Sequence, residues 1–197
     1  RIKLTNRLGT LIGLNTTKRL GVYGAYYVSD PNNCGNASFT SYDGSGLNLD
    51  ALTIGGAGVT NPENVLDGND TTYSQLSLGL VGFGASIEQI VYFEGTSVAT
   101  DNFSIRLRLD PSLIAVGVAN SITIKGYNGD TLVQSTVLSG LLNLDLLTLL
   151  QSNQIATIPF TPGAPVDRIA VEFSSLVSAS VTQRLDLFDI IKTPALP

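Results

Sequence analysis

Asp67, Asn69, Asp70 and Thr72 put several oxygen donors into one short loop, the donor chemistry that a hard cation such as Ca2+ takes. The same residues are ordinary turn formers, and their spacing is not that of a recognised calcium loop, so a structural ion and a plain turn both stand as readings. Catalysis finds less to work with. The chain has no His, so the usual general base for a Ser or Cys nucleophile is missing. Its single cysteine, Cys34, has no basic neighbour to stabilise a thiolate and reads as a small residue in a turn. Glu63, Glu88, Glu94, Asp101 and Asp110 supply carboxylates, but nothing in the sequence pairs two of them across a cleft, as glycoside hydrolysis requires. The expectation is a protein that is not an enzyme.

Binding chemistry has more support. Sugar recognition uses exposed aromatic faces ringed by a few polar groups, and the chain offers seven tyrosines, among them the Tyr26-Tyr27 pair, whose side chains point to opposite faces in a strand. The net charge is −5 and no run of Lys or Arg occurs, which leaves nucleic acid and anionic membrane surfaces without an attractive field. No apolar run reaches the ~20 residues needed to span a bilayer, so direct membrane insertion is not expected. Charged residues make up 14% and hydrophobic residues 43%, with Ser, Thr, Asn and Gly abundant, a balance that suits an extracellular or cell-surface β-protein with a full core.

Elements with period-2 alternation must position these residues. Strands are expected over 72–78, 85–93, 102–109, 121–127, 131–138, 156–160, 167–173 and 184–192. Asn128-Gly129 makes the clearest hairpin. Asn61-Pro62 starts a short helical turn through Val65, and 29–46 reads as linker and turn, rich in Pro, Gly, Asn and Ser. Two leucine-rich stretches, 111–120 and 140–153, do not alternate and are expected to plug one end of a sandwich with their leucines buried. Many short strands and few helical windows predict an all-β antiparallel sandwich.

The chain also repeats itself. Arg19-Leu20-Gly21-Val22-Tyr23 matches Arg184-Leu185-Asp186-Leu187-Phe188, and both follow a segment that opens Arg-Ile. Residues 1–28 then read as the C-terminal strand pair of a preceding repeat, 29–33 as a linker and 34–197 as the sandwich module. Leu20, Val22, Tyr23 and Tyr26, with Leu185, Leu187 and Phe188 as their equivalents, are the expected inter-module contacts, which makes neighbouring copies of the module its expected partners.

In the order NPENVLDGNDTTYSQLSL, SITIKGYNGDTLVQS, leucine-rich plug and PVDRIAVEF, the chain resembles a repeat module of large secreted Bacteroidota surface adhesins, substrates of type IX secretion and in some cases of gliding motility. More distantly, VLDGNDTTYSQL is similar to the AIDGNPNTYW turn of discoidin-like and galactose-binding-like domains, with Tyr73 where that family often has Trp. The resemblance implies a jelly-roll fold and a non-catalytic structural repeat that mediates adhesion or forms a stiff extracellular filament. The alternative it implies is a carbohydrate-binding module with surface polysaccharide as partner. It also implies a calcium site at the 67–72 turn, with Asp186 or Asp189 of the last strand as a further ligand, and O-glycosylation at Thr71 and Thr131, each preceded by Asp. The Asn-X-Ser/Thr pattern occurs as well, at Asn15, Asn36, Asn69 and Asn102.

Overall fold

Alternating sequence becomes strand because each inward residue finds an apolar partner across the molecule. In the computed structural model, β4 (Ser86–Phe93) turns Ile87, Gln89, Val91 and Phe93 inward, and β5 (Asn102–Leu109) turns Phe103, Ile105, Leu107 and Leu109 inward. The structure describes residues 37–45, 58–79, 84–111, 113, 117–175 and 183–194. The expected strand pair over 1–28, with Leu20, Val22, Tyr23 and Tyr26, and the 29–33 boundary lie outside the described residues, as does Cys34.

The other strands are β1 (Ala37–Ser45), β2 (Gly58–Thr60), β3 (Ser74–Gly79), β6 (Ile122–Asn128), β7 (Thr131–Val137), β8 (Ala156–Phe160), β9 (Arg168–Ser174) and β10 (Gln183–Thr193). They form two five-stranded antiparallel sheets, β1-β4-β9-β6-β7 and β2-β3-β10-β5-β8. Phe103, Phe160 and Phe173 fill the space between the sheets with Leu76, Ile105 and Ile124. Each such side chain contributes about 1.5–3 kcal/mol by leaving water. The fold is the expected antiparallel sandwich.

Three expectations need correction. Residues 37–45 are a strand and not a turn, because Phe39 to Ser45 pair residue by residue with Tyr92 to Ser86 of β4. β2 was not expected at all; it pairs with β3 over three residues. The plug is amphipathic and only half buried. Asn143 caps helix α1 (Leu144–Gln151), its side-chain oxygen accepting from the Leu146 N–H at 2.8 Å, which satisfies one of the open donors of the first turn. Leu138 and Leu150 are buried and Leu141, Leu142 and Leu146 pack on the core, while Leu144 and Leu149 face solvent.

β6 is tightly packed at Gly126. A Cβ there would lie 3.0 Å from a Val166 methyl carbon and 3.7 Å from the Phe160 ring. Gly126→Ala is therefore expected to destabilise by about 1–3 kcal/mol through overpacking, with the sheets forced to part locally. An unchanged midpoint in urea would disprove that tightness.

Candidate functional site: the polar depression over Arg108

β5 carries Arg106 and Arg108 two residues apart, so both side chains leave the same face of the sheet, while Ile105, Leu107 and Leu109 face the core. β10 lies beside it with Asp186 opposite Arg108. The Arg108 guanidinium meets Asp186 Oδ2 from Nη2 at 2.7 Å and from Nε at 3.1 Å, and Gln75 of β3 donates to Asp186 Oδ1 at 2.9 Å. Three strands thus supply one polar row whose members fix each other.

A bulge in β10 adds an aromatic wall. Register shifts between Leu187 and Asp189, so the chain carries one extra residue, Phe188, against β5. Phe188 is buried yet stands apart from the main core: its ring packs on Tyr73 at 5.4 Å, and Arg108 lies over both rings, at 5.2 Å from Tyr73 and 5.4 Å from Phe188. The Arg108 fork is held by a carboxylate on one side and two rings on the other, the geometry in which Arg surpasses Lys. Beyond it opens a depression of about 280 Å³ lined by Gln75, Arg108, Leu109, Asp110, Asn153, Arg184 and Asp186. Arg184 is exposed, and among the described residues it has no ion-pair partner. Asn153 holds a left-handed backbone, φ 55°, at the end of the turn that follows α1.

The bulge also turns Asp189 outward beside Arg106. Arg106 Nη1 bridges Asp189 Oδ2 at 2.8 Å and Asp70 Oδ1 at 2.6 Å, tying the 67–73 loop to the last strand. Asp70 holds the guanidinium above its ordinary range despite partial burial. Burial pushes the Asp189 carboxyl up, Arg106 pulls it down, and the net direction is up, with Asp70 and Asp67 adding to the rise.

The calcium donors expected from sequence are engaged with one another and with two arginines. Asp67 Oδ1 accepts the Asn69 N–H at 2.8 Å and Oδ2 accepts the Thr72 hydroxyl at 2.7 Å. Asn69 Oδ1 accepts from the Thr71 N–H at 3.0 Å and the Thr71 hydroxyl at 2.8 Å, and Asp70 is taken by Arg106. Asp186 is committed to Arg108 and Gln75. Among the described residues no three His, Cys, Asp or Glu side chains are grouped around one point. A guanidinium stands between the loop and the strand instead.

Leu185 and Leu187, expected at an inter-module junction, are fully buried in the module's own core, and Phe188 is closed in by Tyr73 and Arg108. Their alternation reflects interior packing. Thr71 and Thr131 are both exposed, the first in the acidic loop and the second at the start of β7. Of the carboxylates weighed for catalysis, Glu88 pairs with Lys125 at 3.0 Å on the outer face of the other sheet, where Glu172 meets the same ammonium at 2.9 Å. Burial opposes that ammonium, but the two carboxylates outweigh it and hold its pKa above the ordinary lysine value. Sequence reasoning passed over Gln75, Arg106 and Arg108. The readable signal was two arginines at i and i+2 among alternating apolar residues, in a chain with only 11 Lys and Arg in all.

No family model matches the chain, and no curated protein matches it. Solved structures of similar course exist. One is a family 32 carbohydrate-binding module from C. perfringens NanJ in complex with galactose (11% identity, 78% of this chain and 93% of that chain, TM-score 0.40). A second is reduced XRCC1 bound to the DNA polymerase β catalytic domain (9% identity, 82% and 99%, TM-score 0.43). A third is the module CBM32-3 from a family 31 glycoside hydrolase of Clostridium perfringens (10% identity, 82% and 91%, TM-score 0.32). No residue role is carried over from any of them.

Proposed function

We propose that this chain is a non-catalytic saccharide-binding module of a secreted or surface protein, and that it binds at the depression over Arg108. The observation that carries the reading is the depression's lining: planar hydrogen-bonding groups from three strands, fixed by mutual bonds before any ligand arrives, with Arg108 itself held against the Tyr73 and Phe188 rings. Sugars present hydroxyl arrays at short spacing, and Arg, Asp, Asn and Gln side chains meet them two at a time. Preorganisation lowers the entropy that binding must overcome. Asp186 is engaged by Arg108 and Gln75, which suits an orienting acceptor better than an acid or base. Adhesion to a polysaccharide surface follows from such binding.

The test is a glycan array followed by calorimetry on the hits. Arg184→Ala, which removes an exposed side chain, and Arg108→Lys, which keeps the charge but loses the fork, are each expected to weaken binding about tenfold or more, equivalent to ~1.4 kcal/mol. Unchanged thermal melting of Arg184→Ala would separate lost contact from lost fold. The reading fails if no glycan binds, or if both variants bind as the parent does.

A further inference from the structure

Resting on that saccharide reading, we propose that the ligand of the depression over Arg108 is an acidic sugar, a uronic acid residue whose carboxylate is held by Arg184. Cations elsewhere in the fold are committed to carboxylates: Arg106 to Asp189, Lys125 to Glu88 and Glu172, and Arg168 to Asp167. Inside the depression, Arg108 gives Nε and Nη2 to Asp186 and lies against the Tyr73 and Phe188 rings, so its fork is closed to a ligand. Arg184 differs. It is exposed in the lining, and among the described residues no carboxylate pairs with it.

Strand geometry sets that guanidinium one step from the polar row. Arg184 and Asp186 are two residues apart on β10, so they leave the same face of the sheet about 6.6 Å apart along the strand. Asp186 stands between Gln75 of β3 and Arg108 of β5, while Arg184 lies opposite Ser77 of β3 and one residue beyond the last pairing with β5, Leu185 with Leu109. The step is comparable to the reach of one sugar ring from its hydroxyls to its C6 carboxylate. A ring whose hydroxyls meet Asp186 and Gln75 therefore brings its acid group to Arg184.

The class of ligand follows from the charges. A guanidinium and a carboxylate are both planar and match two bonds to two, and such charge-assisted bonds are about twice as strong as neutral ones. A sugar hydroxyl offers Arg184 no such match. A phosphate would engage the fork, but Asp110 and Asp186 line the same depression, and carboxylates accept hydroxyl hydrogens while repelling a dianion. The space, about 280 Å³, is at the low end of small-ligand sites and holds one sugar residue in preference to a run of peptide. One carboxylate carried among several hydroxyls suits this lining better than a neutral ring or a phosphate ester.

Calorimetry at neutral pH, where the acid is ionised, tests this with methyl glycosides of the gluco and galacto rings, each as the uronate, the uronate methyl ester and the 6-phosphate. The uronate of at least one ring is expected to bind about tenfold or more tighter than its ester and its phosphate. Arg184→Ala is expected to bring the uronate down to the level of the ester, with the ester's affinity and the melting midpoint unchanged. Equal binding of uronate and ester by the parent overturns the inference and leaves the saccharide reading standing. So does a preference that survives Arg184→Ala, or a variant that weakens both ligands alike, which makes Arg184 a hydroxyl contact. Tightest binding by the phosphate overturns it in favour of a dianion site. Neutral glycans that bind on the array while every uronate fails overturn it as well, whereas binding by no glycan at all brings down the reading beneath it.

Discussion

Arg106→Met is expected to cost about 3–5 kcal/mol of folding free energy, because it strands a buried carboxylate. The two arms of the Arg106 bridge are unequal. Asp70 is 72% exposed at its side chain, so water replaces most of what that pair supplies, and Asp70→Asn is expected to cost under ~1 kcal/mol. Asp189 is only 5% exposed, and its second oxygen, Oδ1, has no hydrogen-bond partner among the described residues. Among the described residues Arg106 is the one cation against it, so without Arg106 the carboxylate is left unpaired between β10, β5 and the acidic loop. Arg106→Met/Asp189→Leu is expected to regain much of the loss, since a matched apolar pair removes the stranded charge along with its partner. Urea unfolding of the two single variants and the double variant decides it. A loss for Arg106→Met within ~0.5 kcal/mol of zero would show that the bridge is a surface contact only.

The same variants carry a pH signature. Burial holds the folded-state pKa of Asp189 above its unfolded value, so the folded protein binds this proton more tightly than the unfolded chain. The group's contribution is therefore fully present below the unfolded pKa and is lost as pH rises through the folded pKa. Removing Arg106 takes away the cation that lowers this pKa and widens the window upward. Arg106→Met is expected to be relatively less impaired in mildly acidic buffer than at neutral pH, and Asp189→Leu in the same background is expected to abolish that difference.

How far the sequence discloses this molecule depends on the range of the forces that decide each element. β5 is readable because FSIRLRL alternates cleanly, and β6–β7 because Asn-Gly can take the left-handed turn that the hairpin needs. β1 is not readable. Asp43-Gly44 signals a turn locally, and only pairing with β4, some 40 residues later in the chain, makes the segment extended. The candidate site falls in the same class. LDLF shows its alternation, yet the bulge that turns Phe188 and Asp189 outward comes from register against β5, and the Arg108–Asp186 contact joins residues 78 apart. A single sequence gives the faces of strands but not which faces become neighbours. For the same reason the 67–72 donors resemble a cation loop until Arg106 and the internal Asx turns claim them.

Gln89 makes the opposite point, since it is a polar residue at an inward position of a clearly legible strand. It is fully buried, and it accepts from the Ser74 hydroxyl at 2.7 Å while donating to the Pro62 carbonyl at 3.0 Å and the Thr40 hydroxyl oxygen at 3.1 Å. One amide thereby bolts β1, β3 and β4 to the short 3-10 turn Pro62–Leu66, from which the 67–73 loop hangs. Gln89→Leu is expected to cost about 2–5 kcal/mol: the Ser74 hydroxyl, itself fully buried, and the Pro62 carbonyl each lose a partner where water does not readily replace it. Thr40 loses less, because its hydroxyl still donates to the Ile90 carbonyl at 2.9 Å. Adding Ser74→Ala is expected to return ~1 kcal/mol by removing one stranded group, a coupling that independent sites would not show. The consequence reaches the binding depression through Tyr73, whose carbonyl accepts from Asn64 of the same turn at 3.0 Å and whose ring supports Arg108. Gln89→Leu is therefore expected to weaken saccharide binding as well as stability, with the affinity partly recovered in the Ser74→Ala double variant. Denaturant midpoints and calorimetric affinities measured on both variants check the two effects separately, and a stability loss below ~1 kcal/mol for Gln89→Leu would mean that the amide is a passenger in the core.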